Sequence, residues 1–103
     1  MNLEAWLREH AAAPPQLNAR ILEVMGDRLD DPSERADGIF VEGAAHLLAD
    51  VVARPAAGRE SALDLLTVDA LVTYAFEAAS ATPGLLPERA SQAMRRLALL
   101  AAP

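Results

Sequence analysis

Hydrophobic residues recur at helical spacing along nearly the whole chain, and Pro and Gly residues divide this pattern into five segments. The first segment runs from Leu3 to about Ala11, behind a possible cap at Asn2. The second runs from Pro15 to about Met25, and Gly26 marks its end. Because no strand-like alternation competes, the pattern predicts an all-α fold. We expect one domain, residues 1–103, built as a compact bundle of four main helices plus a short N-terminal helix.

The third segment carries the strongest start signal, with Asp31 as N-cap, Pro32 at the first helical position and Glu34 at the third. Pro55 is expected to end it. One side of this helix is polar, with Glu42, His46 and Asp50. The opposite side is an apolar arc made of Phe40, Val41, Ala44, Leu47, Leu48, Val51 and Val52.

The fourth segment is apolar on two sides, and Ser61 with Asp64 forms a Ser-x-x-Asp start for it. A helix of this kind belongs at the centre of a bundle or between subunits. One apolar side holds Leu65, Val68, Val72, Phe76 and Ala79, and the other holds Leu63, Leu66, Ala70 and Tyr74. A fifth helix begins at Pro87, with Ala90, Met94, Leu97 and Ala101 opposite Arg89, Gln92 and Arg96.

The acidic residues of the fourth segment have three possible explanations. They could be an acid/base site, the polar edge of a buried helix, or charges that interrupt a membrane span. Asp64 lies in the expected first turn, where a carboxylate caps free N–H groups. Asp69 and Glu77 are eight residues apart, about 12 Å along a helix, which is too far for a shared proton. With Thr73 and Ser80 they form a strip that we expect to face water. Three acids in this segment also argue against a membrane span.

Composition narrows the classes of function. Hydrophobic residues make up 52% of the chain and aromatic residues 4%, so Ala, Leu and Val must form the core. The net charge is −6 and all basic residues are Arg, which argues against nucleic-acid binding. The absence of Cys excludes disulfides and thiolate chemistry. The N-terminus lacks a signal-peptide pattern, so we expect a cytoplasmic protein, and the Ala- and Arg-rich composition is typical of a GC-rich bacterial genome.

Glu42, His46 and Asp50 also suggest a metal site, because residues four apart on a helix can bind one ion. The three would have to span two turns of a single helix, however, and they lie where a hydrophilic surface is expected anyway. The interpretation favoured here is a solvated face. We predict neither a cofactor nor a catalytic residue.

Three short stretches, "ILEVMGDRL", "IFVEG" and "GRESAL", together resemble parts of acyl carrier proteins. The resemblance implies that Ser61 carries a phosphopantetheine arm, as the serine of the Asp-Ser-Leu motif does in that family. Here Glu60 stands in place of the Asp, and Ala62 lies between the serine and Leu63. A helix-capping role for Ser61 is the alternative.

The surplus of apolar surface favours a non-enzymatic protein-interaction or self-associating module. We expect a homodimer, because a second copy would cover the apolar surface that one small core cannot bury. The alternative is a bundle that binds a small apolar ligand between the third and fourth helices, near Phe40, Tyr74 and Phe76. We expect no nucleic acid and no membrane as partner. The residues expected at the pocket or interface are Phe40, Leu47, Val51, Val72, Tyr74 and Phe76.

Overall fold

The computed structural model describes residues 1–54, 58–81 and 86–101, without the side chains of Leu86, Arg89 and Ala101. It confirms the all-α bundle of four main helices and a short N-terminal one. The helices are α1 (Leu3–His10), α2 (Pro15–Met25), α3 (Ala36–Ala53), α4 (Arg59–Ala79) and α5 (Leu86–Ala101). Pro55, expected to end the third helix, and the expected roles of the Arg89 and Ala101 side chains lie outside the described residues.

The ends of the first two helices follow the sequence signals. Asn2 caps α1, because its Oδ1 accepts a hydrogen bond from the Ala5 N–H at 2.9 Å. Gly26 ends α2 with a φ of 52°, in the left-handed region that glycine adopts without steric cost. Both expected helix ends are therefore confirmed.

The start of the third helix differs from the expectation. Two 3-10 turns, Gly26–Asp30 and Ser33–Arg35, precede α3, which begins at Ala36. Asp31 is not its N-cap. The Asp31 carbonyl instead accepts the Leu3 N–H at 2.9 Å, and the Ser33 N–H donates to the Met1 carbonyl at 3.0 Å. This segment is held by the N-terminus of the chain, which competes with helix formation for the same backbone groups.

The central helix is α3, which packs against α4, α5 and α2. Its apolar arc is buried around Phe40 and Leu47, while Val52 at the far end is 67% exposed. Burial extends beyond the expected arc on both sides. The buried residues of α3 are Ala36, Ile39, Phe40, Val41, Ala44, Ala45 and Leu47. The fourth helix was expected at the centre of the bundle or between subunits, and α4 lies at the side of the bundle with one face exposed.

The remaining two helices are α4 and α5, which have little contact with each other. α4 begins at Arg59 with Gly58 at the N-cap, so Ser61 and Asp64 do not cap it. α5 packs mainly on α3 and makes far less contact with α4. No helix in the described ranges is both long enough and apolar enough to cross a bilayer.

Candidate functional site

The exposed side of α4 carries large apolar residues. We call this side the outer face of α4, made of Ala62, Leu65, Leu66, Asp69, Thr73, Phe76 and Glu77, all of them exposed. Leu65 is 49% exposed, Leu66 is 58% exposed and Phe76 is 38% exposed. Neighbours within the outer face are spaced by three, four or seven residues, such as Leu66, Asp69 and Thr73, which places the whole set on one side of the helix. The polar residues Asp69, Thr73 and Glu77 are in water, as predicted.

The opposite side of α4 is buried and is polar in its first half. Ser61 is 8% exposed, Asp64 4% and Thr67 0%. The Thr67 hydroxyl donates to the Leu63 carbonyl at 2.8 Å, one turn back along the same helix. Two leucines therefore face solvent next to three polar residues that face the protein interior, which is the reverse of the ordinary amphipathic arrangement.

Asp64 is buried because two arginines from other parts of the fold reach it. Arg20 of α2 donates from Nε to Oδ1 at 2.8 Å and from Nη2 to Oδ2 at 3.4 Å. Arg54, just after α3, places Nη1 2.8 Å from Oδ2, as an ion pair in which the N–H direction does not meet hydrogen-bond geometry. The hydrogen bonds from Arg20 lower the pKa of Asp64, against the opposing effect of burial, and Arg54 lowers it further. Asp64 is thus a charged residue at neutral pH that links α4 to Arg20 of α2 and to Arg54.

The residues expected to form a ligand pocket are divided between the core and the surface. Phe40 and Tyr74 come together, with ring centroids 5.9 Å apart, and Trp6 packs on both. Burial raises the pKa of Tyr74. Leu47 is also buried, Val51 and Val72 are half-buried, and Phe76 lies outside this cluster on the outer face. Phe40 and Tyr74 therefore fill the space in which the pocket was expected.

A groove is present elsewhere, where α5 leaves the side of α4. It has a volume of about 560 Å³ and lies between the first half of α3, the end of α4 and the middle of α5. Phe76 is the one residue of the expected pocket that lines it. Four of its lining residues are alanines, whose small side chains leave space between the helices. We call this space the α3–α5 groove, with apolar walls that include Ile39, Val41, Ala75, Phe76, Ala79, Ala90, Ala93 and Leu99.

Four arginines line the same groove, and they fall into two pairs. Arg28 and Arg96 both bind Glu42: Arg28 Nη1 lies 3.1 Å from Oε2, and Arg96 Nη2 contacts Oε1. Arg28 also donates to Asp31 at 2.7 Å, and these two carboxylates raise its pKa. Arg35 and Arg95 form no ion pair with any residue that the structure describes.

The proposed metal ligands do not form a site. Glu42 is occupied by Arg28 and Arg96, while His46 and Asp50 are exposed on another part of α3. Among the described residues no group of three acidic, His or Cys side chains could hold a metal ion. Asp69, Thr73 and Glu77 do not converge on a hollow either, since they lie in water on the outer face.

Ser61, the residue that the carrier-protein resemblance singles out, is the third residue of α4 and is buried at 8% exposure. A transferase must reach the hydroxyl that it modifies. This burial counts against the carrier alternative.

Sequence reasoning missed the partners of Asp64 and the α3–α5 groove. A signal for the first was present, because Asp64 falls beside Val68 and Leu71 on the helical wheel and an acid there needs a cationic partner. The choice of Arg20 and Arg54 has no local signal, since 44 residues separate Arg20 from Asp64. The alanines of α4 and α5 were a weak signal for open space between helices.

No protein-family model, curated protein or solved structure matches this chain.

Proposed function

We propose that this protein is a cytoplasmic, non-enzymatic interaction module that forms a homodimer through the outer face of α4. The observation that carries the proposal is the reversed first half of this helix, where Leu65 and Leu66 are exposed while Asp64 is buried. Leucines that stay in water in the monomer gain no free energy of burial, and a covering surface on this face would supply it.

The spacing of the outer face suits a twofold pairing. Leu66 and Phe76 are ten residues apart, about 15 Å along the helix. In an antiparallel pair of α4 helices, Leu66 of one protomer faces Phe76 of the partner subunit, and symmetry repeats this contact. Asp69 then faces Thr73 of the partner subunit near the axis, so the two Asp69 carboxylates are kept apart.

The test is Leu66→Glu, followed by sedimentation equilibrium over a micromolar concentration range. We expect the wild-type protein to be dimeric and the variant to have a dimer Kd raised by about thirtyfold or more, because each of the two symmetry-related apolar contacts loses its leucine and gains a charge. The matched control is Val52→Glu, which changes an apolar residue that is 67% exposed on α3, away from the outer face. A wild-type monomer throughout this range, or equal dimer Kd values for Leu66→Glu and Val52→Glu, contradicts the proposal.

The α3–α5 groove favours a second candidate function, the binding of a small apolar ligand. Its volume of about 560 Å³ lies within the range of roughly 300 to 1,000 Å³ that small-molecule sites occupy. The site differs from the cavity expected between the third and fourth helices, because α5 supplies one of its walls.

A further inference from the structure

The α3–α5 groove concentrates positive charge in an acidic protein. It holds four of the nine arginines of a chain whose net charge is −6. Two acids also line it: Glu42 lies between Arg28 and Arg96, and Asp37 has an interaction of its own within the protein. The arginines that remain without an ion pair among the described residues are Arg35 and Arg95.

These two arginines approach the groove from different elements. Arg35 immediately precedes α3, and Arg95 belongs to the middle of α5. Both are exposed, so neither guanidinium has lost its hydration in the free protein. A guanidinium presents a planar set of N–H donors that matches a carboxylate and binds it through paired hydrogen bonds.

The rest of the groove is apolar and small-walled. Ala75, Phe76 and Ala79 of α4 line it, and so does Ala93 of α5. Leu99 also lines the groove, although 78% of its surface is exposed to water in the free chain. An apolar body bound here would cover Leu99 and Phe76.

From this combination we infer that the α3–α5 groove binds a molecule with a linear apolar body and a carboxylate head, of the class of medium- and long-chain fatty acids. The head group pairs with Arg35 and Arg95, and the apolar body lies along the alanine walls. The inference rests on the second candidate function and names its class of ligand. A groove volume of about 560 Å³ suits one such molecule rather than a docked helix.

The experiment is a calorimetric titration of the full chain with sodium decanoate, at pH 8 and far below the concentration at which decanoate forms micelles. Two comparison ligands share a ten-carbon chain: 1-decanol, which lacks the charge, and decyltrimethylammonium, which carries the opposite charge. We expect one decanoate per chain, with weaker binding of decanol and the weakest binding of the cation.

Arg35→Gln and Arg95→Gln are the diagnostic variants. Each removes a charge that pairs with no described residue, so the fold is retained, and an unchanged melting temperature checks this. We expect each to weaken decanoate binding by about tenfold while leaving decanol binding unchanged. The matched control is Arg59→Gln, because Arg59 is exposed at the start of α4, lies outside the groove and also forms no ion pair with a described residue.

Each result has a distinct meaning. If decanol binds as tightly as decanoate, or if the two groove variants behave like Arg59→Gln, the inference about the carboxylate is overturned while the ligand-binding function stands. If none of the ligands binds, both are overturned. If decanoate or the variant Arg35→Gln dissociates a dimer, the groove belongs to an interface between copies and the inference is likewise overturned.

Discussion

In the second half of α4 the buried residues are Leu71, Tyr74, Ala75 and Ala79, whereas in the first half they are Ser61, Asp64 and Thr67. In the first half, where the buried residues are polar, the large apolar residues Leu65 and Leu66 are exposed to water. The two halves belong to one continuous helix of 21 residues. Both halves therefore have the same orientation about the helix axis. Only one half can bury its apolar side and expose its polar side.

The second half sets this rotation. Leu71 is fully buried, and Tyr74 packs on Phe40 and Trp6 in the aromatic cluster. The first half follows, which turns Asp64 inward and Leu65 and Leu66 outward. Arg20 and Arg54 make the buried carboxylate tolerable, since a buried charge is retained only where it is paired. The comparison teaches that apolar packing orients one end of α4 and ion pairing accommodates the other.

The largest effect is expected from the same substitution made in each half. Leu71→Ala leaves a cavity at a fully buried position and should lower the free energy of unfolding by about 3 kcal/mol. Leu66→Ala, at a position that is 58% exposed, should change it by no more than about 0.5 kcal/mol in the monomer. Urea unfolding at low protein concentration, where a dimer does not contribute, measures both values.

Equal losses for these two alanine variants would show that Leu66 is packed in solution. The contrast between the halves of α4 would then be wrong, and with it the reason for placing a partner on the outer face.

A smaller loss is expected from Asp64→Asn, which keeps the shape of the side chain and removes its charge. We expect about 2 kcal/mol, less than the roughly 3 to 5 kcal/mol that breaking a fully buried ion pair costs, because the side chains of Arg20 and Arg54 are 28% and 34% exposed and can be hydrated. Urea unfolding at pH 7 measures this loss.

The dependence on pH identifies the charge as the cause. The pKa of Asp64 is lowered in the folded protein relative to its ordinary value of 3.8. Its contribution is therefore complete above the unfolded value and is lost as the pH falls through the lower, folded value. The difference in unfolding free energy between wild type and Asp64→Asn should be constant above about pH 5 and should shrink below about pH 4. A difference that stays constant down to pH 2 would assign the loss to packing.

The sequence was informative where a structural feature depends on neighbouring residues. The bounds of α2, the Asn2 cap and the stop at Gly26 follow from local backbone requirements, and the structure has them where they were expected. The start of α3 was misjudged because the Asp31 carbonyl binds the Leu3 N–H, a contact across 28 residues that no local motif encodes. The apolar pattern predicted which helices pack, but not that α3 rather than α4 lies at the centre.

The candidate sites were less predictable for a related reason. Phe76 and Tyr74 were both expected at one pocket. Residues two positions apart on a helix point about 200° apart, so Tyr74 lies in the core and Phe76 at the groove. The surplus of apolar surface could be inferred from composition. Its place on α4 depends on Arg20 and Arg54 reaching Asp64, which is a property of the assembled bundle.

The smallest effect is expected from Thr67→Val, which asks whether the buried polar stripe of α4 depends on all of its members. Thr67 is fully buried, and its hydroxyl donates only to the Leu63 carbonyl within the same helix. Replacing this hydroxyl by a methyl group leaves no buried donor without a partner, and the carbonyl keeps its helical hydrogen bond. The free energy of unfolding should therefore change by less than about 1 kcal/mol.

Thr67→Ser, which keeps the hydroxyl and removes the methyl group, is the matched control and should cost about 1 kcal/mol. If thermal unfolding shows that Thr67→Val costs more than Thr67→Ser, the hydroxyl contributes to the fold and the first half of α4 is held by its polar residues together. If it does not, Asp64 is the one residue of the stripe that needs polar partners, and its ion pairs with Arg20 and Arg54 accommodate the rotation that the second half sets.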